Sequence, residues 1–447
     1  MDYIIPSLVD LLAPFRHCFR QEAFFNFQHV LVAWLLCPGP RTLTEVWQAS
    51  ALAGRKHYDA IYHLFGSAVW DWDELGTILC LYIVTHLVPT GYVWIVVDDT
   101  LCHKRGAKVA FGGFFLDAVR SSKRRKVFSF GVNYVVLGLV VRFPFRPNRY
   151  HCLPILWRVF RKKGLPGHKK RTELAREMAH LAAGLMPDRD VYLVADSAYV
   201  NAAVLRDRPA NLQLIGPLPL KAALYELPGE PSPGQRGRRR KKGDRLATPK
   251  QLFEDTAACP AVEQEVTFAG QTKKALRVQV LDEVLWYTGC KTEPVQVVMV
   301  RDLSGAWTDT ALLCTKVGLS AREVIQGYAR RWSVEVMFHD SKQYLGLQDP
   351  QVWCEQSVQR AHPMAWFSYS VTLLWYALEG DGHENLKRDR PWYTREQQQG
   401  GALTQVLGTL RLALLRGRYF GEASDATAVP PSPEILIHLL HCLATVR

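Results

Sequence analysis

A short segment in the last third of the chain carries side chains that could bind metal ions and phosphates. It contains Tyr328, Arg331, Glu335 and Lys342 at helical spacing. On a continuous helix, these four side chains fall within an arc of about 60°. A solvated helix face usually spreads its charges more widely, and a buried face would not carry two cations around one carboxylate. The arrangement favours a metal-binding acid flanked by groups that hold phosphates.

Further acidic residues lie at the ends of two predicted strands, where such a site would need them. Asp98 and Asp99 follow the apolar run 92–97, and Asp196 follows the run 191–195. Carboxylates that meet from separate elements repel one another and raise one another's pKa. Divalent cations resolve that repulsion, and hard oxygen ligands select Mg²⁺ or Mn²⁺. The sequence therefore predicts a site for two such ions, which would activate a water or a 3′-hydroxyl for phosphoryl transfer.

The cationic residues of the same segment would complete this chemistry. Arg331 and Lys342 share the predicted face of Glu335 and could stabilise the negative charge of the transition state. Simpler interpretations exist, because Arg331 and Glu335 could form an ordinary i,i+4 ion pair. A strand-end aspartate, likewise, often does no more than form a turn. The three carboxylates together with the tyrosine, arginine and lysine favour catalysis over coincidence.

The elements that must position these residues follow the order β-β-β-α-β-α-β. Their predicted ranges are 92–97, 127–141, 149–160, 172–186, 190–196, 199–207 and 212–216. This is the order of the ribonuclease-H-like fold. The sequence therefore predicts an α/β protein with a ribonuclease-H-like catalytic core and a β-rich insertion, flanked by all-helical N- and C-terminal regions. A long helix that begins near Ser320 would carry Glu335.

Shifts in residue pattern along the chain predict five segments. They are a helical N-terminal DNA-binding region (1–88), the first part of the core (89–217), the β-rich insertion (218–318), the second part of the core with the catalytic helix (319–365) and a helical C-terminal region (366–447). Within the insertion, residues 228–250 are rich in proline, glycine and basic residues and cannot build a core, so they predict a loop.

Composition indicates a globular protein with a polyanionic partner. Of the 447 residues, 48% are hydrophobic and 22% are charged, which excludes a disordered chain, and the formal net charge is +13. Such a basic excess favours nucleic acid over an anionic membrane surface. The uncharged stretch 76–97 is split by His86, Pro89 and Gly91 into pieces too short to span a bilayer. The ten cysteines contain no C-x-x-C pair, which is typical of reduced thiols in a cytosolic protein.

Two basic segments are candidates for DNA binding. The first is a helix, a turn at Gly54 and a second helix that opens with Arg55 and Lys56, which predicts a helix-turn-helix, although any αα-hairpin gives the same pattern. The second is the loop 228–250, which either is a solvated linker or follows a DNA backbone. Its basic residues are Arg238, Arg239, Arg240, Lys241 and Lys242.

The catalytic segments resemble those of a known family. The spacing Tyr328-(2)-Arg331-(3)-Glu335-(6)-Lys342 resembles the Y-(2)-R-(3)-E-(6)-K signature of bacterial insertion-sequence DDE transposases of the insertion-sequence-four-like superfamily. The segment Val-Val-Asp-Asp-Thr-Leu resembles the first-aspartate segment of that family, and Val-Ala-Asp-Ser-Ala-Tyr the second. The doubled aspartate leaves Asp98 or Asp99 as the ligand. Asp99 is favoured because it directly precedes a threonine, as in relatives.

The resemblance implies a catalytic cycle and its partners. A metal-activated water would nick the transposon end, the freed 3′-hydroxyl would form a hairpin, and reopened ends would attack target DNA. The family implies binding of double-stranded transposon ends and target DNA by a homodimer in a synaptic complex, in a bacterial cytoplasm and near the nucleoid. In relatives an aromatic residue of the insertion stacks on a flipped base. Trp286 is the best candidate, although a core tryptophan would give the same sequence pattern.

Other functions remain possible at this level. The chain contains no Gly-Lys dipeptide, so a P-loop nucleotide site is excluded. One alternative is a catalytically inactive, domesticated transposase that binds DNA, although the intact acidic triad argues against it. Another is a different ribonuclease-H-like nuclease such as a junction resolvase, which would need neither the helical N-terminal region nor the insertion.

Overall fold

A computed structural model describes residues 4–122, 124–230, 239–255, 257, 259–268, 272–380 and 401–420. Its centre is one mixed sheet of ten strands with helices packed on both faces. The strands are β1 (Val93–His103), β2 (Gly113–Leu116), β3 (Phe128–Phe143), β4 (Arg146–Val159), β5 (Val191–Ala195), β6 (Leu212–Leu218), β7 (Ala261–Phe268), β8 (Thr272–Leu285), β9 (Pro294–Asp302) and β10 (Thr310–Cys314).

The helices fall into three groups along the chain. The first group precedes the sheet and comprises α1 (Pro6–Leu12), α2 (Gln21–Leu36), α3 (Leu43–Ala49), α4 (Asp59–Gly66) and α5 (Trp72–Leu87). Between strands lie α6 (Arg171–Gly184), α7 (Ala202–Leu205), α8 (Pro249–Leu252) and α9 (Tyr287–Cys290). After the last strand come α10 (Ala321–Ala329), α11 (Trp332–Tyr344), α12 (Glu355–Ala361), α13 (Met364–Glu379) and α14 (Leu403–Phe420). None of the described helices is long and apolar enough to cross a membrane.

The strand order β4-β3-β1-β5-β6 confirms the predicted ribonuclease-H-like fold class. β1 pairs antiparallel with β3 and parallel with β5, and β5 pairs parallel with β6. The first half of β1 is a continuous apolar run because helices cover both faces of this central strand, and Val93, Ile95, Val96 and Val97 are fully buried. β1 does not end at residue 97 as predicted but continues to His103, because its pairing with β3 extends beyond its pairing with β5.

The predicted β-rich insertion extends the central sheet. β10 pairs antiparallel with β6, and β9, β8 and β7 follow outward in antiparallel order. The sequence did not predict β10, which is short but pairs on both sides. The described part of the basic loop is tied to this region through Tyr225, which forms one isolated bridge with Arg245 of the loop and another with Leu285 of β8.

The N-terminal helices pack against the C-terminal ones over the face of the sheet that α11 covers. Phe15 contacts Phe367 of α13 edge to face, with ring centroids 5.3 Å apart. The indole Nε1 of Trp34 donates to the carbonyl of Leu345, just after α11, over 2.9 Å. Helices from both ends of the chain therefore support the element that carries Glu335.

Candidate active site

Strand alternation places the two neighbouring aspartates of β1 on opposite faces of the sheet. In the antiparallel register, Asp98 lies opposite Val136 and Asp99 opposite Val135. Successive side chains of a strand point to opposite faces. Only one of the two aspartates can therefore face α11 and its glutamate.

Asp98 is the aspartate that faces the other acidic residues. The parallel β1–β5 ladder ends at Val97 and Ala195, so Asp98 and Asp196 are the next residues on two adjacent strands. α11 crosses β1 and β4 above them and brings Glu335 to the same side. Three carboxylates from three separate elements thus face the same side of the sheet.

Arg331 joins these elements. Its Nη1 lies 3.6 Å from Oδ2 of Asp98, and its Nη2 donates to Oε1 of Glu335 over 2.6 Å. The pairing with Glu335 is the predicted i,i+4 contact, but the same guanidinium also reaches β1. A simple helix-surface ion pair would not contact the strand, so Arg331 belongs to the site.

The electrostatics of the acidic residues suit a cation site. Burial raises the pKa of Asp98 to about 7, and the carboxylates of Asp196 and Asp99 add to the rise, against the lowering effect of Arg331. Burial also raises the pKa of Asp196, although the amide of Ala198 donates to its Oδ1. Carboxylates that hold protons near neutral pH are under-compensated by their protein surroundings, and a divalent cation would supply the missing positive charge.

The three carboxylates are suitable ligands for hard divalent ions, and the distances between them depend on the arginine that lies among them. Three carboxylates from separate elements are the oxygen donors that Mg²⁺ and Mn²⁺ prefer. Within the described residues, the only three potential ligands whose atoms all lie within 4.8 Å of one another are His17, Cys18 and Glu74. The acidic triad is more widely spaced because the Arg331 guanidinium lies between Asp98 and Glu335.

Two further residues of the predicted frame also lie at this site. Burial raises the pKa of Tyr328, and the charge of Arg331 opposes that rise, which places the phenol next to the guanidinium. Lys342 is half-buried, and its charge acts on the thiol of Cys102, whose pKa burial raises. Lys342 forms no hydrogen bond or ion pair with any described residue, so its ammonium group is available to a phosphate.

The predicted long helix is instead two helices. α10 ends at Ala329 and α11 begins at Trp332. Between them the amide of Arg331 donates to the carbonyl of Tyr328 over 3.0 Å, and Val334 donates to Arg331 over 3.1 Å. These i→i−3 bonds are tighter than those of an α-helix. The prediction that all four side chains lie on one arc of a continuous helix is therefore wrong. Tyr328, Arg331 and Glu335 are nevertheless neighbours, because Arg331 contacts both of the others.

The preference for Asp99 as the ligand is not supported by the geometry. Its Oδ2 accepts from Nδ2 of Asn133 over 3.0 Å, and its Oδ1 accepts from the hydroxyl of Tyr199 over 3.0 Å. Nε of Arg171, on α6, lies 3.4 Å from Oδ2. Asp99 thus has its own partners on the face opposite Glu335. The period-two alternation of a strand that continues past residue 97 was the signal that could have separated the two aspartates.

Trp286 is part of the core and cannot stack on a base. Only 7% of it is exposed, and its ring lies so close to Gly289 that a Cβ at that glycine would collide with it. The exposed tryptophans beside the site are Trp307 and Trp332, at 45% and 63% exposure. Both line a cavity of about 890 Å³ whose wall includes Tyr328. Sequence reasoning missed them, although Trp332 directly follows Arg331.

The candidate DNA-binding residues of the N-terminal region differ from one another. The predicted turn is present, with Gly54 at φ +80°, and Arg55 is exposed within it. Lys56, however, pairs with Glu22 and donates to Oδ1 of Asn26 over 2.8 Å. Because α4 begins only at Asp59, both basic residues precede the helix. The structure therefore leaves Arg55 exposed and commits Lys56 to contacts within the helical region.

The basic loop is only partly within the described residues. Arg238 lies outside them, whereas Arg239, Arg240 and Lys241 are exposed. Lys242 is half-buried and places its ammonium 3.7 Å from the centroid of the Tyr225 ring. The described part of this segment is a charged surface, held by the contact of Lys242 with the Tyr225 ring and by backbone hydrogen bonds such as that from the amide of Gly243 to the carbonyl of Glu226, over 2.9 Å.

Comparison with known proteins identifies an endonuclease family. The family described as DDE superfamily endonuclease matches residues 14–293, which include Asp98 and Asp196 but end before Glu335. No curated protein matches the chain. One similar solved structure, a cryo-EM structure of a piggyBac transposase synaptic complex with hairpin DNA, has a TM-score of 0.41 and 10% identity, over 95% of this chain and 76% of that chain. Because the family match spans more than half of the 447 residues, the chain belongs to the DDE superfamily endonucleases.

Proposed function

We propose that this endonuclease is a DNA transposase that cleaves the ends of its element and joins them to target DNA by phosphoryl transfer. The observation that carries the proposal is the meeting of Asp98, Asp196 and Glu335 with Arg331 at one edge of a ribonuclease-H-like sheet. The spacing of the tyrosine, arginine, glutamate and lysine supports an insertion-sequence transposase among the members of the superfamily.

DDE endonucleases use divalent metal ions, and the acidic triad is the set of residues that would hold them. We propose two Mg²⁺ or Mn²⁺ ions, which when bound supply activation of the attacking oxygen and stabilisation of the leaving oxygen. The protein's own part is to hold the three carboxylates on rigid elements. Asp98 comes from the centre of the sheet, Asp196 from the end of β5 and Glu335 from α11.

Arg331 and Lys342 are proposed to hold the phosphates on either side of the scissile bond. A guanidinium carries five N–H donors, and Arg331 uses only two of its groups on carboxylates. It can therefore contact a phosphate without leaving Asp98 or Glu335. Lys342 lies about three helical turns beyond Arg331 on α11 and has no protein partner among the described residues. The two cations would contact the DNA backbone at two separate positions and stabilise transition-state charge.

The base-stacking role implied by the family resemblance would fall to the cavity beside α11. Trp307 comes from the loop after β9, within the insertion, and packs edge to face on Phe268 with centroids 5.1 Å apart. Lys274 lies over the same ring at 4.1 Å. This tryptophan is exposed, rigidly held and close to Tyr328, whereas Trp286 is buried. We expect W307A to slow end processing while W286F leaves it near normal, measured with 2-aminopurine fluorescence at the end nucleotides.

DNA binding, a homodimeric synaptic complex, hairpin ends and a bacterial cytoplasmic setting complete the proposal. The net charge of +13, the exposed Arg239, Arg240 and Lys241 and the exposed Arg55 support a nucleic-acid partner. The dimer and the hairpin are supported by the family resemblance alone.

The decisive experiment combines purified protein, Mg²⁺ or Mn²⁺, and labelled duplexes that carry the DNA flanking its own gene. A transposase should first nick at the element boundary and then give a species that migrates as a hairpin on a denaturing gel. E335Q, which keeps side-chain size but loses a ligand charge, is the matched inactive control. Binding without nicking by the wild type would favour the inactive DNA-binding alternative. Nicking that ignores the element boundary, and instead follows branched structure, would favour a junction nuclease.

A further inference from the structure

The side chain of Asp99 occupies a position that connects the two catalytic aspartate segments. Past the last paired residues, Val97 and Ala195, no strand ladder holds β1 to the chain that follows β5. Across the described residues, a single hydrogen bond joins residues 98–103 to residues 196–201. It runs from the hydroxyl of Tyr199 to Oδ1 of Asp99, over 3.0 Å.

Tyr199 is well placed to transmit this contact to the second catalytic aspartate. Its amide donates to the carbonyl of Asp196 over 3.1 Å, which closes a turn, and the side chain is 1% exposed. Inside the same turn, the amide of Ala198 donates to Oδ1 of Asp196 over 2.9 Å. The buried side chain of Tyr199 therefore links the turn that orients Asp196 to the strand that carries Asp98.

The other contacts of Asp99 fix its orientation. Asn133, from β3, donates to its second oxygen over 3.0 Å, and the same amide accepts from Nε of Arg171 over 2.8 Å. Arg171 is itself held by the ring of Phe160, at 4.5 Å from its centroid. Asp99 is thus held from β3 and α6, on the face of the sheet away from Glu335.

We infer that Asp99 is a positioning residue, which through Tyr199 holds the turn of Asp196 at a fixed distance from Asp98. This inference rests on the proposed function of the acidic triad. Two like charges at the ends of adjacent strands repel. Beyond the ladder the Asp99–Tyr199 hydrogen bond opposes their separation, together with the guanidinium of Arg331, whose charge acts on both carboxylates. Its effect is expected on the affinity of the triad for a divalent cation, because a preorganised site binds more tightly than one that must be assembled.

The test uses Mn²⁺ alone as the probe and Y199F as the variant. Y199F removes only the hydroxyl, and we expect the Kd for Mn²⁺, measured by calorimetry or by electron paramagnetic resonance, to rise about tenfold. Amides 197–201 should exchange with deuterium faster in the same variant without any metal. Strand cleavage should fall about tenfold at sub-saturating Mn²⁺ and recover at saturating Mn²⁺, which a general loss of structure would not do.

Y192F is the matched control. Tyr192 lies on β5, is fully buried, and its hydroxyl has no hydrogen-bond partner among the described residues. Its loss should change neither Mn²⁺ affinity nor exchange at 197–201. D99N is a second variant, which keeps the side-chain volume but removes the charge that accepts both bonds. It should reproduce the Y199F effects at a slightly lower Tm.

The outcomes separate this inference from the function on which it rests. A wild-type protein that binds no Mn²⁺ would overturn both. A second outcome is that the wild type binds Mn²⁺ and D98N does not, while Y199F and D99N keep the Mn²⁺ affinity and the exchange rates of the wild type. That outcome would overturn the positioning role and leave the proposed function intact. Weakened binding in Y199F and D99N but not in Y192F would establish it.

Discussion

The two faces of β1 give adjacent aspartates opposite surroundings. Asp98 faces Asp196 and Glu335 with one arginine between them, and burial raises its pKa to about 7. Asp99 accepts hydrogen bonds from Asn133 and Tyr199 and lies beside the guanidinium of Arg171. Their exposed side-chain fractions are similar, 19% and 29%, so burial alone does not separate them. The partners do.

This difference shows how a fold distinguishes a ligand from a support. A carboxylate whose lone pairs are all occupied by protein donors is stabilised as an anion and has little capacity for a cation. A carboxylate placed among other carboxylates costs folding free energy until a cation arrives. A carboxylate of the first kind stabilises the fold, whereas a carboxylate of the second kind is available to bind a metal ion.

The largest expected contrast is in strand cleavage. D98N, D196N and E335Q should each lose at least a thousandfold in single-turnover rate on a nicked end, because each removes a charged ligand. D99N should lose only about tenfold at sub-saturating Mn²⁺. All four proteins should still bind end DNA in a gel-shift assay. A thousandfold loss in D99N with near-normal cleavage by D98N would reverse the assignment of the two faces.

Substitution of the arginines on the two faces should change the cleavage rate by smaller factors. R331A should slow cleavage about a hundredfold without lowering Mn²⁺ occupancy, because a phosphate contact made more strongly in the transition state contributes a few kcal/mol. K342A should behave similarly. R171A, which removes the arginine beside Asp99, is the matched control and should cost no more than about fivefold.

If Arg331 only pairs with Glu335, the outcome would be different. R331A would then lose a few tenths of a kcal/mol in stability and keep its activity. Quench-flow cleavage on a pre-nicked end, with Mn²⁺ occupancy measured on the same samples, distinguishes the two cases.

The two aspartates should also change stability in opposite directions. The pKa of Asp98 lies above its unfolded value of 3.8, so its ionisation opposes folding. That cost is absent below about pH 4, grows as pH rises towards 7 and is complete above 7. D98N should therefore be more stable than the wild type by about 2 kcal/mol at pH 8, with a smaller gain at pH 5.

D99N should instead be less stable by about 1–2 kcal/mol, because it loses hydrogen bonds to a charged acceptor. Urea unfolding in EDTA at pH 5 and pH 8 measures both effects. Destabilisation by D98N at pH 8 would show that its carboxylate is compensated by the protein after all.

The aspartate substitutions should have their smallest effect on DNA affinity, which we expect to be the same whichever face of β1 is changed. D98N and D99N should show the wild-type dependence of log K on log salt. Neutralising Arg238, Arg239, Arg240, Lys241 and Lys242 together should flatten that slope by about one or two units, since each phosphate contact contributes about −0.9. An unchanged slope would leave the loop as a solvated linker.

Much of the architecture was readable from local pattern. The apolar run before Asp98, the turn at Gly54 and the alternation of strands and helices through residue 216 each depend on nearby residues, and the structure has all of these features. The elements that carry the proposed ligands were also predictable, because strand ends and helix spacing bring particular residue types to one edge of this fold. Sequence alone thus determined the fold class and the three elements that carry the chemistry.

Tertiary structure decided which side chain does what. Whether Asp98 or Asp99 joins the triad depends on how far β1 continues, and that depends on pairing with β3, some thirty residues away. Trp286 fills the core whereas Trp307 lines a cavity, and these surroundings are set by elements distant in the chain. Lys56 is committed to Glu22 for the same reason. Local residues fix secondary structure, whereas long-range packing fixes the partners of each side chain, and in this protein those partners distinguish a proposed metal ligand from its support.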